Sequence, residues 1–161
     1  RSSEGRLPTV ILLHATGHDR LQMWPQMLLL ARRGYLAVSI DSRYHGARAT
    51  EGTDTYKNAL IRSWRGIVGK ERAFLMDTAY DLIRVVDHLL IRPDVDAARI
   101  GMTGISLGGM HTVMAAAADT RISVAVPLIG VQSFNWALEH DQWQARVASI
   151  PWVRTPIGLS F

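Results

Sequence analysis

The 161-residue chain contains no cysteine, so neither a disulfide framework nor a thiolate metal site can support it. Lysine is almost missing too. Lys57 and Lys70 are the only two, and arginine supplies the rest of the 18 basic residues. No G-x-G-x-x-G follows the first apolar run and there is no P-loop, so dinucleotide or nucleoside-triphosphate use is not expected. RRM, KH and zinc-finger patterns are absent. Internal repeats, low-complexity tracts and a domain linker are also lacking, which leaves one folded region as the expectation. Arg1 opens the chain without a charged-then-apolar leader. No secretory signal is therefore expected, and a soluble, cytoplasmic protein is the default.

What is present is an ordinary globular mixture. Apolar residues make up 48% and charged residues 20%, with a mean hydropathy of +0.06. This excludes a disordered acidic tail, a coiled coil and a collagen-like chain. The net charge is +4, and a basic group runs through Arg43, Arg48, Lys57, Arg62, Arg65, Lys70 and Arg72. Glu51, Asp54 and Glu71 interrupt it, so it reads as an ion-paired or solvated surface and not as a nucleic-acid site. From Ile100 to Ala118 there is no formal charge, long enough to raise a membrane span. Gly101, Gly104, Gly108 and Gly109 make that a poor spanning helix. A buried strand followed by a buried helix explains the stretch better.

Four short apolar runs read as strands: Val10–Leu13, Tyr35–Ile40, Arg99–Gly104 and Ile122–Leu128. Helices are expected between them. One begins near Pro25 and stops at Gly34. A second runs from about Glu71 to Ile91, where Leu75, Ala79, Leu82, Val86 and Leu89 recur at three- and four-residue steps. A third runs from Met110 to about Ala118, and a short one is drawn around Asn58–Gly66. This β-α-β-α-β-α-β order predicts an α/β fold, a doubly wound and mostly parallel sheet.

Gly104-Ile105-Ser106-Leu107-Gly108 fits G-x-S-x-G, the nucleophile elbow. A serine on a sharp strand-to-helix turn adopts strained backbone angles, and side chains two positions to either side would strike neighbouring backbone. The turn presents Oγ above the carboxyl end of the strand, and the N–H groups that follow point to where an oxyanion forms. His14-Ala15-Thr16-Gly17, after the first strand, falls near the topological switch point of such a sheet.

These segments, with Asp41-Ser42-Arg43-Tyr44-His45-Gly46 and Arg92-Pro93-Asp94-Val95-Asp96, resemble the α/β-hydrolase superfamily. The closest flavour is the dienelactone-hydrolase, acetyl-xylan-esterase and prolyl-oligopeptidase-like branch. The likeness runs from about Val10 to Gln132. It implies Ser106 as nucleophile, and the backbone N–H groups of Leu107 and Thr16 as oxyanion donors. Alanine stands at Ala15 where the family usually has glycine. The resemblance also implies that residues 1–161 form a single partial α/β-hydrolase domain lacking its last strands. Its core covers about 10–132, with 133–161 as a lid-like or irregular tail.

In this superfamily the acid and then the histidine follow the serine in chain order. Only one clear strand, Ile122–Leu128, follows Ser106, so Asp and His are expected from residues beyond Phe161. His14 and His18 belong to the first loop, and His45 is expected to order the second. His88 reads as a surface group, and His111 packs beneath the elbow. His140 lies downstream but beside Glu139 and Asp141, on no natural path to the serine. His14 and His18 are spaced i, i+4 in a loop without a third ligand, so no metal and no cofactor is expected. The expected function is a carboxylic-ester hydrolase acting through an acyl-enzyme on a small-molecule ester. The alternatives are a peptidase of the prolyl-oligopeptidase type, and a non-catalytic binding or scaffold protein. Weak or no esterase activity is expected of these residues alone. An exposed sheet edge with a tendency to self-associate is expected too.

Overall fold

A computed structural model of the chain describes residues 5–49, 56, 59, 74–130, 136, 139 and 140. The chain falls into two compact units, Arg1–Val131 and Gln132–Phe161. The first unit holds the sheet. Its elements are β1 (Leu7–Leu13), α1 (Trp24–Arg32), β2 (Leu36–Ser39), α2 (Phe74–Ile91), β3 (Val95–Ile105), α3 (Leu107–Ala118) and β4 (Val124–Leu128). One 3-10 turn, Arg20–Met23, leads into α1, and another, Gly46–Arg48, follows β2.

All strand pairs are parallel, in the order β2-β1-β3-β4. β1 and β3, in the centre, carry the β-branched and aliphatic runs that suit strands covered on both faces. Ile11 and Leu13 on β1 and Ile100 and Met102 on β3 point to one face, where they pack with Leu82, Val86 and Leu89 of α2 and Ala115 of α3. Leu12 points the other way by strand alternation, and it is buried as well. α2 is amphipathic as its periodicity predicts: Leu82, Val86 and Leu89 face the core, while Met76, Tyr80 and Ile91 are exposed. β4 lies at the edge, and its Val124, Val126 and Leu128 are exposed.

Several boundaries differ from the sequence reading: β1 begins at Leu7 and not Val10, β2 spans Leu36–Ser39 and not Tyr35–Ile40, β4 begins at Val124 and not Ile122, and two more have a clear physical cause. β3 begins at Val95, not Arg99, because the Leu7 N–H donates to the Asp94 carbonyl at 2.8 Å and Leu7 pairs with Val95. α3 begins at Leu107, three residues earlier than its best helix formers suggest. Gly108 and Gly109 weaken a helix intrinsically, and tertiary contact holds them in one. Of the helix drawn around 58–66 only Ala59 is described, and it is helical and buried; the rest of that helix and most of the 133–161 tail lie outside the described residues. No helix among the described residues is long and apolar enough to cross a membrane.

Candidate active site

Because the strands run parallel, the loops after β1, β2, β3 and β4 open at one edge of the sheet, where ligands of such folds bind. Ser106 is the single residue between β3 and α3. Its φ is +53° and its ψ −106°, a conformation that costs a non-glycine residue about 1–3 kcal/mol. Two hydrogen bonds hold it there. The Ser106 N–H donates to the Leu128 carbonyl and its own carbonyl accepts the Met110 N–H, each at 2.9 Å. The flanking glycines permit the turn. A Cβ on Gly104 would lie 2.8 Å from Gly108 Cα. One on Gly108 would lie 2.8 Å from the His14 carbonyl oxygen and closer still to that of Leu13. The first turn of α3 thus abuts the end of β1, which brings the Thr16 and Leu107 segments side by side.

Leu107 is the first residue of α3, and Thr16 sits in a turn closed by His18 N–H to the Ala15 carbonyl at 3.2 Å. Gly17 supplies that turn's positive φ of +78°, while Ala15 keeps an ordinary negative φ. The alanine at position 15 is therefore compatible with this loop. Neither the Thr16 N–H nor the Leu107 N–H has a partner among the described residues. Unpaired amides beside a helix N-terminus favour negative charge.

Behind these loops lie three buried histidines from three elements: His14, His45 and His111. The Ser42 N–H donates to His14 Nε2 at 3.0 Å, so the ring proton sits on Nδ1, which donates to the Ala15 carbonyl at 2.8 Å. The His45 ring lies 5.2 Å from that of His14, and its Nδ1 donates to the Arg43 carbonyl at 2.9 Å. His111 Nδ1 approaches Ser42 Oγ at 3.5 Å. Its Nε2 and that of His45 have no partner among the described residues. Burial above all, with repulsion from His14 and His45, pushes the His111 imidazole down to about 3. His45 is lowered by burial and by His14, against an opposing pull from the Arg43 carbonyl. Both rings are neutral near pH 7. No described histidine bonds Ser106 Oγ. His140 belongs to the second unit, where its ring stacks on Trp136 at 4.4 Å.

The β2 loop is fixed by charge. Asp41 is buried and accepts hydrogen bonds from the Arg20 N–H (2.7 Å), the Ala47 N–H (2.9 Å) and the Arg20 guanidinium. Burial alone would raise its carboxyl, but these bonds hold it below its ordinary value. Arg43 forms a bidentate pair with Asp81 of α2 at 2.9 Å, and Arg48 joins it at 2.8 Å. Two members of the basic group are therefore ion-paired. Sequence reasoning gave no role to Asp41 or to Gln22, whose side-chain oxygen accepts from the Ala15 N–H, and missed the positive φ of Tyr44 (+63°). Only the turn-prone Asp41–Gly46 stretch carried a signal. A cleft of about 340 Å³ beside these loops is lined in part by Gly17, His18, Tyr44, His45 and Tyr56. No three His, Asp or Glu side chains among the described residues gather as a metal site.

The family model described as acetyl xylan esterase (AXE1) matches residues 1–139. The Bacillus subtilis (strain 168) protein named "Putative esterase YitV" is 25% identical over 149 residues, covering 90% of this chain and 54% of that protein. An acetyl xylan esterase structure from Paenibacillus sp. R4 is 25% identical with a TM-score of 0.70, covering 93% of this chain and 48% of that one. Acetyl xylan esterase 1 from Thermoanaerobacterium sp. JW/SL YS485 shares the fold, with a TM-score of 0.73 at 20% identity, over 98% of this chain and 51% of that one. The chain spans about half the length of the relatives it matches.

Proposed function

The chain belongs to the acetyl xylan esterase family within the α/β-hydrolase superfamily, and from that premise we propose that it carries the nucleophile and oxyanion half of a carboxylic-ester hydrolase. Ser106 is the nucleophile of this reading. Its Oγ attacks the ester carbonyl carbon, and the proton it gives up is passed on to the leaving alkoxide, which departs as the alcohol. The carbonyl electron pair moves onto oxygen, and the N–H groups of Thr16 and Leu107 receive that charge. Collapse expels the alcohol and leaves an acyl-serine, which water then cleaves. The acid and base are assigned to none of the described residues.

The observation that carries the reading is the strained Ser106 (φ +53°) between β3 and α3, beside two unpaired amides. Backbone strain at a serine has no evident structural use, and it suits a hydroxyl held out above the sheet edge. The family name makes an acetyl ester the first substrate to test. The test is labelling by a fluorophosphonate together with p-nitrophenyl acetate hydrolysis, with Ser106→Ala as control. Slow turnover and labelling that both vanish in Ser106→Ala are expected. Labelling that persists in the variant overturns the nucleophile assignment, and labelling of neither protein favours a binding or scaffold role.

A further inference from the structure

The oxyanion donors of the reading above depend on how one peptide group is aimed, and the contacts around Ala15 identify what aims it. In a trans peptide, the C=O of one residue and the N–H of the next lie in one plane and point in opposite directions. The Thr16 N–H therefore faces away from the Ala15 carbonyl. That carbonyl is pinned by His14 Nδ1–H at 2.8 Å and by the His18 N–H at 3.2 Å. The preceding peptide plane, His14 to Ala15, is held on two sides. Its carbonyl rests where Gly108 lacks a side chain. Its N–H donates to the side-chain oxygen of Gln22 at 2.7 Å.

With both planes fixed, Ala15 has neither φ nor ψ free, and the aim of Thr16 follows. Gln22 is the outer jaw of this clamp. It is half-buried on the 3-10 turn Arg20–Met23. That turn is itself anchored: Asp19 caps it through the Leu21 N–H at 2.8 Å, and the Arg20 N–H and guanidinium bind buried Asp41. The inner jaw is backbone against backbone and does not yield. The outer jaw is one side-chain hydrogen bond.

We propose that Gln22 is a positioning residue for the oxyanion hole, holding the Ala15 N–H so that the loop stays seated on Gly108 and the Thr16 N–H stays aimed beside that of Leu107. This rests on the ester-hydrolase reading for its purpose, but the clamp itself is independent of it. Three variants separate the possibilities. Gln22→Met keeps the reach and removes the acceptor, Gln22→Ala removes both, and Gln22→Glu restores an acceptor oxygen.

Amide hydrogen exchange at Ala15 and Thr16, read by NMR, tests the clamp. Exchange at Ala15 is expected to accelerate about 10-fold in the Met and Ala variants and to return towards the parent in Glu. Saturation kinetics of Ser106 labelling tests the role. The maximal rate is expected to fall about 10- to 100-fold with half-saturation unchanged, and to recover in Gln22→Glu. A thermal midpoint for each variant confirms that the fold is kept. Unchanged exchange overturns the clamp. Faster exchange with unchanged labelling overturns the positioning role. If the parent itself is not labelled at Ser106, the ester-hydrolase reading and the role fall together, and the exchange result still decides the clamp.

Discussion

Acid should weaken this fold well before its carboxylates protonate, and His111 is the reason. The ring is fully buried, its Nε2 has no partner among the described residues, and its pKa lies at about 3. Its folded neighbours include His14 and His45, which oppose a positive charge, and Asp81, which favours one more weakly. In the unfolded chain the same imidazole titrates near about 6.5. Between these values the unfolded state binds the proton and the folded state does not, so stability falls as pH falls. Each pH unit in that window removes about 1.4 kcal/mol, or about 2 kcal/mol from pH 6.5 to pH 5. That is a large share of the roughly 5–15 kcal/mol that stabilises a domain. His45, also lowered, adds in the same direction. The lowered carboxylates, Asp41, Asp81 and Asp119, contribute to the slope only nearer their unfolded value of about 4. The assay is urea unfolding at a series of pH values from 7.5 to 5, fitted with one m value, for the parent and His111→Gln. The variant starts less stable at pH 7.5, but below about pH 6 its dependence on pH should be flatter by about 1.4 kcal/mol per unit. Parallel curves for the two proteins would refute the argument.

Two further substitutions probe the turn at Ser106 and its neighbourhood. Gly108→Ala places a methyl group against the Leu13 and His14 carbonyls, backbone atoms that cannot rotate away. A loss of about 3 kcal/mol or more is expected from chemical denaturation, and a variant as stable as the parent would contradict the close approach. Ile129 follows the carbonyl that holds Ser106, and it is a β-branched residue at φ +47° with an exposed side chain. Ile129→Asn should raise stability by about 1 kcal/mol, since Asn tolerates this region and little buried surface is lost. A lowered denaturation midpoint would show that the side chain does more than endure strain.

Much of the fold was legible because its signals are local. The four strands are aliphatic runs, and α2 repeats its apolar residues at helical spacing, so neither needs knowledge of a partner. The misplaced ends have a different character. Val95-Asp96-Ala97-Ala98 has no strand pattern. It joins β3 because Leu7 pairs with it and because Arg99 and the Ala98 N–H bind the Asp96 carboxylate at 2.6 and 3.0 Å. Gly108 and Gly109 argue against helix by propensity, yet they are the residues that allow α3 to approach β1 and β4. At the candidate site, G-x-S-x-G singles out Ser106 because the turn imposes its own spacing. The convergence of His14, Ser42, His45 and His111 leaves no such mark. They come from three segments, the loops after β1 and β2 and helix α3, and only the sheet order brings them together. Gln22 was invisible for the same reason, since no spacing rule joins a glutamine to a backbone amide across a loop.

The contacts that shape the Thr16 and Leu107 amides have a common origin. Gly104, Gly108, Leu128 and Met110 fix Ser106 and Leu107, while His14, His18, Ser42 and Gln22 fix Ala15 and hence Thr16. Every one of these residues lies within the first compact unit. The strain at Ser106 is likewise opposed by hydrogen bonds from within that unit. Preorganised dipoles stabilise charge because they need no rearrangement when the charge appears, and in the proposed reading these two amides supply them. The two halves of a serine hydrolase are separable in this sense. In the proposed reading, charge stabilisation belongs to the turns after β1 and β3, and proton transfer is a separate requirement. On that reading, oxyanion and binding contributions alone can retain about 10³–10⁴-fold over water when a triad is broken, so the slow Ser106-dependent turnover proposed above needs no base among the described residues.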